Sequence, residues 1–206
     1  MEKRYYHFSN KTLRDGKPIP EIGEWLTVQG EIVPCENGLH ASEHPFDALQ
    51  YAPGSLLHLV ELDGEIKPYG SPVDKFAARK RKIIATIDAE DLLWEFTRKC
   101  ALNVIHLRDA PDVVKQYLTT GDELLRATPW DAAWAAAWDS ARATSWDAAL
   151  DAAWAAAWDA ARATSWDAAR DASWDAALAA AWDAERQMFL KMVDAAFAKV
   201  LEDAAK

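Results

Sequence analysis

Short apolar and aromatic runs alternate with turn residues through the first 127 positions of the chain. The runs "RYYHF", "EWLTV", "LLHLVEL" and "KIIATI" are rich in β-branched and aromatic residues, and "DGKPIP", "ENG", "APG" and "DGE" interrupt the sequence around them. Such runs predict the strands of a small, mostly antiparallel sheet. "HPFDALQYA", which Pro45 opens, "DAEDLLWEFTRKCALNVI", capped by Asp88, and "PDVVKQYLTTGDELLRA" predict helices. Residues 1–127 are therefore predicted to form an α+β domain.

A second pattern fills residues 128–206, which contain no Gly and are dominated by Ala, Trp and Asp. From Trp130 to Trp182 every fourth residue is Trp, Arg or Leu, without a slip. Ala-rich sequence of this kind is strongly helical, and Thr128 followed by Pro129 resembles a helix start. The predicted fold class is thus α+β, with the sheet domain followed by Ala/Trp-rich helical tetrad repeats.

The tetrad step predicts that the repeat is divided into several helices. A four-residue step rotates the Trp position by about 40° on an α-helix, so one straight helix would spread its indoles around its whole surface. The segment "RATSWD" occurs twice and places Thr144 and Thr164 at capping positions. A break near these residues is favoured over one helix with a right-handed supercoil.

The tetrad side chains are predicted to pack between helices, within one chain or through self-association. Nine exposed indoles would form a larger apolar area than soluble monomers usually carry. Arg142 and Arg162, two of the three Arg in the register, can stack on neighbouring indoles and continue the stripe. The residues assigned to this packing or assembly role are Trp130, Trp134, Trp138, Arg142, Trp146, Trp154, Trp158, Arg162, Trp166, Trp174 and Trp182.

Charge and composition narrow the classes of partner. The formal net charge of −10 argues against general binding to nucleic acid or to an anionic membrane. Two Cys are too few for a disulfide scaffold, the N-terminus lacks the apolar core of a signal peptide, and no apolar run is long enough to span a membrane. We expect a cytoplasmic protein with free thiols that binds neither nucleic acid nor membrane.

The stretch "CENGLHASEHPFDALQYAPG" contains the densest group of chemically versatile side chains outside the repeat. Cys35, His40 and His44 lie within ten positions, and thiolate and imidazole are ligands for transition metals. Alternatively, the two His bond to the backbone of a turn and of the following helix start. Since no fourth ligand is evident, we predict no metal and no cofactor.

At these residues the chain resembles an uncharacterised N-terminal domain family of phage, prophage and bacterial proteins. That family has a Cys-Glu-x-Gly-Leu/Phe-His-Ala signature, followed by a short helix, and its members often carry a short-period repeat after the domain. The matching residues here are Cys35, Glu36, Gly38, Leu39, His40, Ala41, Pro45, Asp47, Tyr51 and Pro53. Many relatives have a second Cys where this chain has Ser42, and this departure weakens the metal interpretation further.

The resemblance implies a phage-related accessory factor of unknown activity. We interpret the chain as a non-enzymatic binding protein that acts on a host protein or a small ligand, with the Trp repeat as a packing or self-assembly module. The alternatives are a nucleotide-binding, signal-sequestering protein and an enzyme, because the order of elements resembles small ADP-ribosyltransferase-like folds. In the enzyme, His7, Tyr51 and either Glu61 or Glu65 would hold a nicotinamide nucleotide.

"KFAARKRK", from Lys75 to Lys82, is the one dense basic run in this acidic chain. It could receive a phosphate group or an acidic partner. It could equally be a solvated helix end or strand edge, or dock the acidic repeats of the chain itself. The residues predicted to contact a small phosphorylated ligand are His7, His40, Tyr51, Arg79, Lys80 and Arg81.

Overall fold

The computed structural model describes residues 3–13, 15–107, 112–122, 125, 153–156 and 172–206. The chain divides into two compact units, one made of Met1–Glu90 with Leu190–Lys206 and the other of Asp91–Phe189. The predicted domain division after residue 127 falls beside residues outside the described ranges and stays a prediction.

The first unit is built on an antiparallel sheet, which confirms the predicted α+β class. Its strands are β1 (Tyr5–Ser9), β2 (Trp25–Thr27), β3 (Leu39–Ala41), β4 (Leu56–Tyr69) and β5 (Lys75–Asp88). Strands β4 and β5 form a long hairpin, β1 pairs with the free edge of β4, and both β2 and β3 pair with the other edge of β5. The basic run is therefore the first half of a central strand.

The sheet curls back on itself because the chain after β3 returns to β1. Ser42 bridges to Tyr6, with N–H···O distances of 2.8 and 2.9 Å in the two directions. The pairings thus run from β1 through β4, β5 and β3 back to β1. We call the inner face the side that carries the buried apolar cluster of Tyr5, Ala41, Val60, Leu62, Ala78 and Ile83.

The outer side of β1 is covered by helices of the same unit. The hydroxyl of Tyr6 donates to Asp194 Oδ1 at 3.0 Å, and its ring contacts Phe197 at a centroid distance of 6.4 Å. Helix α1 (Pro45–Leu49) contacts β1 and buries Phe46 completely. It starts where Pro45 predicts a start, and His44 is its N-cap.

Three longer helices follow the sheet in the described ranges. They are α2 (Glu90–Val104), which ends in a 3₁₀ turn (Ile105–Leu107), α3 (Asp112–Thr120) and α4 (Ala172–Ala204). As predicted, Asp88 caps α2, since its Oδ1 accepts from the amide of Glu90 at 3.1 Å. Helix α4 contains the last two Trp of the repeat, so the helical prediction is confirmed there.

The predicted helix start at Thr128 and the breaks at Thr144 and Thr164 lie outside the described residues. Residues 153–156, in the middle of the repeat, are helical. No helix in the described ranges is both long enough and apolar enough to cross a membrane.

Candidate functional site

Polar side chains from three neighbouring strands lie side by side on the inner face. His7 of β1 is opposite His58 of β4, and His58 is opposite Thr86 of β5. Directly opposed residues of antiparallel strands project from the same face. The rings of His7 and His58 are stacked, with their centroids 6.1 Å apart. Arg81 lies on this face too, because it is opposite Leu62 of the inner cluster.

His58 is held by hydrogen bonds at both ring nitrogens. Its Nε2 is 2.7 Å from Ser9 Oγ and its Nδ1 is 2.8 Å from Thr86 Oγ1. Ser9 donates its single hydroxyl proton to the carbonyl of Asn10 at 2.7 Å. Ser9 Oγ therefore accepts from Nε2–H, and Nδ1 accepts from the hydroxyl of Thr86. Burial, followed by the charge of Arg81, lowers the pKa of His58 to about 4, so the ring is neutral at pH 7.

His7 is only partly buried, and its ring makes no hydrogen bond among the described residues. Burial lowers its pKa well below the ordinary value, and the nearby Arg81, His58 and His40 lower it further. Arg81 is the charged group among these neighbours at neutral pH. The ring of His7 is therefore neutral and lies near the positive charge of Arg81.

Arg81 is a buried cation without a carboxylate among the described residues. Arg81 is only 7% exposed to solvent. One guanidinium N–H donates to the carbonyl of His40 at 2.7 Å. Burial alone lowers its pKa from 12.5 to about 10. The guanidinium therefore keeps its charge at neutral pH, with a backbone carbonyl as its acceptor.

The other cations in the second half of the basic run are paired with acidic residues of β4. The pairs are Arg79 with Glu65 at 2.6 Å, Lys80 with Asp63 at 3.2 Å and Lys82 with Glu61 at 2.6 Å. Arg79 also donates to the carbonyl of Gly30 at 2.8 Å. The acids that balance the run thus come from the adjacent strand. Arg81 differs from these neighbours because it is buried and has no carboxylate partner among the described residues.

Tyr51 belongs to a separate cluster at the end of the β4–β5 hairpin. Its hydroxyl donates to Asp74 Oδ2 at 2.5 Å, and the ammonium group of Lys75 lies 3.8 Å from its ring centroid. Lys75 also lies 4.6 Å from the ring centroid of Tyr69. Partial burial and then Asp74 raise the pKa of Tyr51. Of the predicted ligand residues, the structure brings His7, Arg81 and the backbone of His40 together. The other three, Tyr51, Arg79 and Lys80, make contacts elsewhere.

The imidazoles of the Cys35 stretch bond to the backbone. His40 Nε2 accepts from the amide of Cys35 at 3.0 Å, and His44 Nδ1 accepts from the amide of Phe46 at 3.2 Å. Cys35 has a φ of 70°, which the turn requires. In the described part of the chain, no three His, Cys, Asp or Glu side chains are grouped so that they could hold a metal ion.

The residues of the enzyme hypothesis lie in different places. Glu61 alternates with Val60 and Leu62 along β4, so it projects from the face opposite to His7. It is paired with Lys82, and Glu65 is paired with Arg79. These carboxylates are therefore held by cations of β5 and not beside His7.

Only two of the repeat indoles have side chains that the structure describes. Trp154 is 54% exposed, whereas the neighbouring Ala153 and Ala156 are buried. Trp182 on α4 is partly buried. Trp154 is thus more exposed than the sequence predicts for an indole packed between helices. The assignments of Trp130, Trp134, Trp138, Arg142, Trp146, Trp158, Arg162, Trp166 and the side chain of Trp174 lie outside the described residues.

The second unit contains a buried carboxylate that the sequence did not indicate. Glu185 of α4 is 4% exposed, and it accepts from the thiol of Cys100 at 3.1 Å and from Asn103 Nδ2 at 3.0 Å. Burial, and then the charge of Glu185, raise the pKa of Cys100. The thiol therefore stays protonated and unreactive.

Sequence reasoning missed Ser9, His58 and Thr86 as members of the inner cluster. Alternation offered a signal, because His58 is two residues before Val60 and four before Leu62, at positions that share one face of a strand. Identifying the opposing residues requires the strand register, which the sequence does not supply.

A family model matches the sheet region of the chain. No curated protein and no solved structure shows a significant match to the chain. The matched region covers the five strands of the described sheet and the first part of α2. Residues 3–95 match a family described as a domain of unknown function, DUF7666.

Proposed function

We propose that this is a non-enzymatic binding protein whose sheet unit takes up a small anionic ligand at Arg81. The observation that carries the proposal is the difference between Arg81 and the other cations of its run. Arg79, Lys80 and Lys82 each have a carboxylate partner, whereas Arg81 is the most deeply buried of the four and has a carbonyl. The sequence hypothesis of a phosphorylated ligand is kept, with Arg81 in place of Arg79 at its centre.

The energetic cost of burying Arg81 supports a ligand site. Moving a charged side chain out of water costs several kcal/mol even after the protein relaxes, and a well-placed counter-charge is the usual compensation. A single carbonyl offsets part of that cost. In a low-dielectric setting an anion that reaches the guanidinium would interact with it much more strongly than in water. Arg also presents a planar fork that suits carboxylate and phosphate oxygens.

The hydrogen bonds around His58 favour binding over nucleophilic catalysis. An activated Ser must donate its proton to the base. Ser9 instead donates to the carbonyl of Asn10 and accepts from His58. Thr86, a neutral residue, is the second partner of the ring, where a triad would have a carboxylate. Ser9 and His58 therefore fit a structural network beneath the ligand site.

The experiment compares thermal unfolding of wild type, Arg81→Met and Arg79→Met in increasing sodium sulfate or phosphate at constant ionic strength. Arg79 is the matched control, because it is an Arg of the same strand with its own carboxylate. We expect a saturable rise in the wild-type Tm, as binding to the native state requires. The rise should persist in Arg79→Met and disappear in Arg81→Met. Sulfate also stabilises proteins by exclusion from their surface, and that effect would be equal in all three proteins.

The ligand-free proteins give a second, independent readout. If Arg81 is present for a ligand, Arg81→Met removes an uncompensated buried charge and should raise the Tm of the apo protein. A lower apo Tm for Arg81→Met, together with equal sulfate effects in all three proteins, would show that Arg81 is a structural residue and would refute the proposal.

We further propose that the repeat is an association module of a phage-related accessory factor that acts in the cytoplasm. The exposed Trp154 supports this part, because an indole 54% exposed next to buried Ala is an apolar surface suited to a partner or a second copy. Sedimentation velocity of the full chain over a wide concentration range tests it. A monomer at every concentration would leave a different protein as the only partner compatible with the proposal.

A further inference from the structure

We propose that the ligand at Arg81 is a doubly charged oxyanion, of the phosphate monoester type, and that it binds together with a proton on His7. This inference rests on the proposed function. It concerns a different feature of the site, namely the neutral imidazole beside the buried guanidinium.

The groups around His7 are cationic or neutral on every strand that surrounds it. Strand β5 contributes Arg81, β4 contributes His58, β3 contributes His40, and β1 itself contributes Tyr5 on the same face. No carboxylate in the described residues acts on the ring. An anion bound at Arg81 would cancel the main repulsion and supply an attraction, so it would favour the imidazolium form of His7.

His7 is the imidazole of this cluster that can accept a proton without loss of structure. Protonating His58 would require a second N–H where Nδ1 now accepts from Thr86. His40 uses Nε2 to accept from the amide of Cys35. The ring of His7 makes only its stacking contact with His58 among the described residues. His7 is partly exposed, whereas Arg81 and His58 are buried.

Two positive charges match a dianion. Arg81 alone balances a carboxylate, whereas Arg81 with protonated His7 balances a phosphate monoester, which carries between one and a half and two negative charges near pH 7. Binding of a dianion should therefore take up a proton, and its affinity should rise as the pH falls. A monoanion should gain much less, because Arg81 already neutralises it.

Isothermal titration calorimetry with sulfate and with methanesulfonate tests the inference. Both probes keep a constant charge between about pH 5.5 and 7.5, whereas phosphate itself titrates in this range. We expect the affinity for sulfate to increase at least about fivefold over that interval, the lower end of typical coupling between two sites. The affinity for methanesulfonate should stay nearly constant. Titrations in two buffers with different ionisation enthalpies should reveal proton uptake for sulfate in the wild-type protein.

The variants His7→Gln and His106→Gln identify the group that takes up the proton. His7→Gln should bind sulfate with a pH-independent affinity, and His106→Gln, a change in the exposed 3₁₀ turn, should behave like wild type. Arg81-dependent sulfate binding with no proton uptake would overturn this inference and leave the proposed function standing. Failure of both probes to bind at either pH would overturn the two together. The two-buffer measurement needs no variant, so it decides the question even if His7→Gln does not fold.

Discussion

Acidification should destabilise the sheet unit through His58. The pKa of His58 falls from about 6.5 in an unfolded chain to about 4 in the folded protein, because burial disfavours the charged ring. Above pH 6.5 the ring is neutral in both states, and the free energy of unfolding does not depend on its titration. Between pH 6.5 and 4 the unfolded chain binds a proton that the folded protein refuses. Stability is therefore lost as the pH falls through this window.

The size of the effect follows from the shift. One pKa unit corresponds to about 1.36 kcal/mol, so a shift from 6.5 to about 4 amounts to about 3 kcal/mol at the acid end. The free energy of unfolding of a typical domain is roughly 5 to 15 kcal/mol, so this loss is a large part of it. His7 has its pKa shifted in the same direction and adds to the loss.

Urea unfolding followed by far-UV circular dichroism at several pH values between 7 and 4.5 measures this loss. His58→Gln should be less stable than wild type at pH 7, because it alters the bonds to Ser9 and Thr86. The difference in free energy of unfolding between wild type and His58→Gln should shrink by up to about 1.4 kcal/mol per pH unit in acid. Only the wild type loses stability through this titration, because Gln does not titrate. His106→Gln should keep the wild-type pH dependence. Parallel pH profiles for wild type and His58→Gln would refute a neutral, proton-excluding His58.

Three further results are expected. Ellman's reagent should label Cys35 quickly in the native protein and Cys100 only after unfolding, because Cys35 is exposed and Cys100 is buried beside a carboxylate; equal rates would contradict that placement. Tyr6→Phe should lower the free energy of unfolding by about 1 kcal/mol. A double-mutant cycle with Asp194→Ala should show that most of this loss is coupling energy between the two side chains. Trp154→Ala should lower the free energy of unfolding by less than the roughly 3 to 5 kcal/mol expected for a buried aromatic residue, because Trp154 is 54% exposed. Its effect on Tm should grow with protein concentration if association covers the indole, and an effect independent of concentration would contradict self-association.

The local elements could be predicted because each depends on neighbouring residues. Pro45 and Asp88 fix helix starts through the conformation and hydrogen bonds of one turn. Alternation and β-branched residues marked the strands of the hairpin. The basic run was harder to predict, because the sequence does not show that it lies in a central strand with Glu61, Asp63 and Glu65 on the strand beside it.

The candidate site depends on register, and for this reason the sequence located only part of it. Arg81 and Arg79 are equivalent in the sequence, two residues apart in one basic run. In the structure Arg81 is buried on the inner face, while Arg79 is paired with Glu65. The register shifts within the β4–β5 pair decide which side chains face His7. A bulge changes the facing of every residue beyond it, and composition does not reveal where it falls.

The most direct test of the Arg81 site is a crystal structure of the protein soaked in selenate, with anomalous data collected at the selenium edge. We expect an anomalous peak within ion-pair distance of the Arg81 guanidinium, on the side of His7, and no such peak at Arg79, which Glu65 already neutralises. Arg81→Met crystals should lack the peak. A carboxylate of the chain itself bonded to Arg81, with no selenate beside it, would show that Arg81 does not bind an external anion.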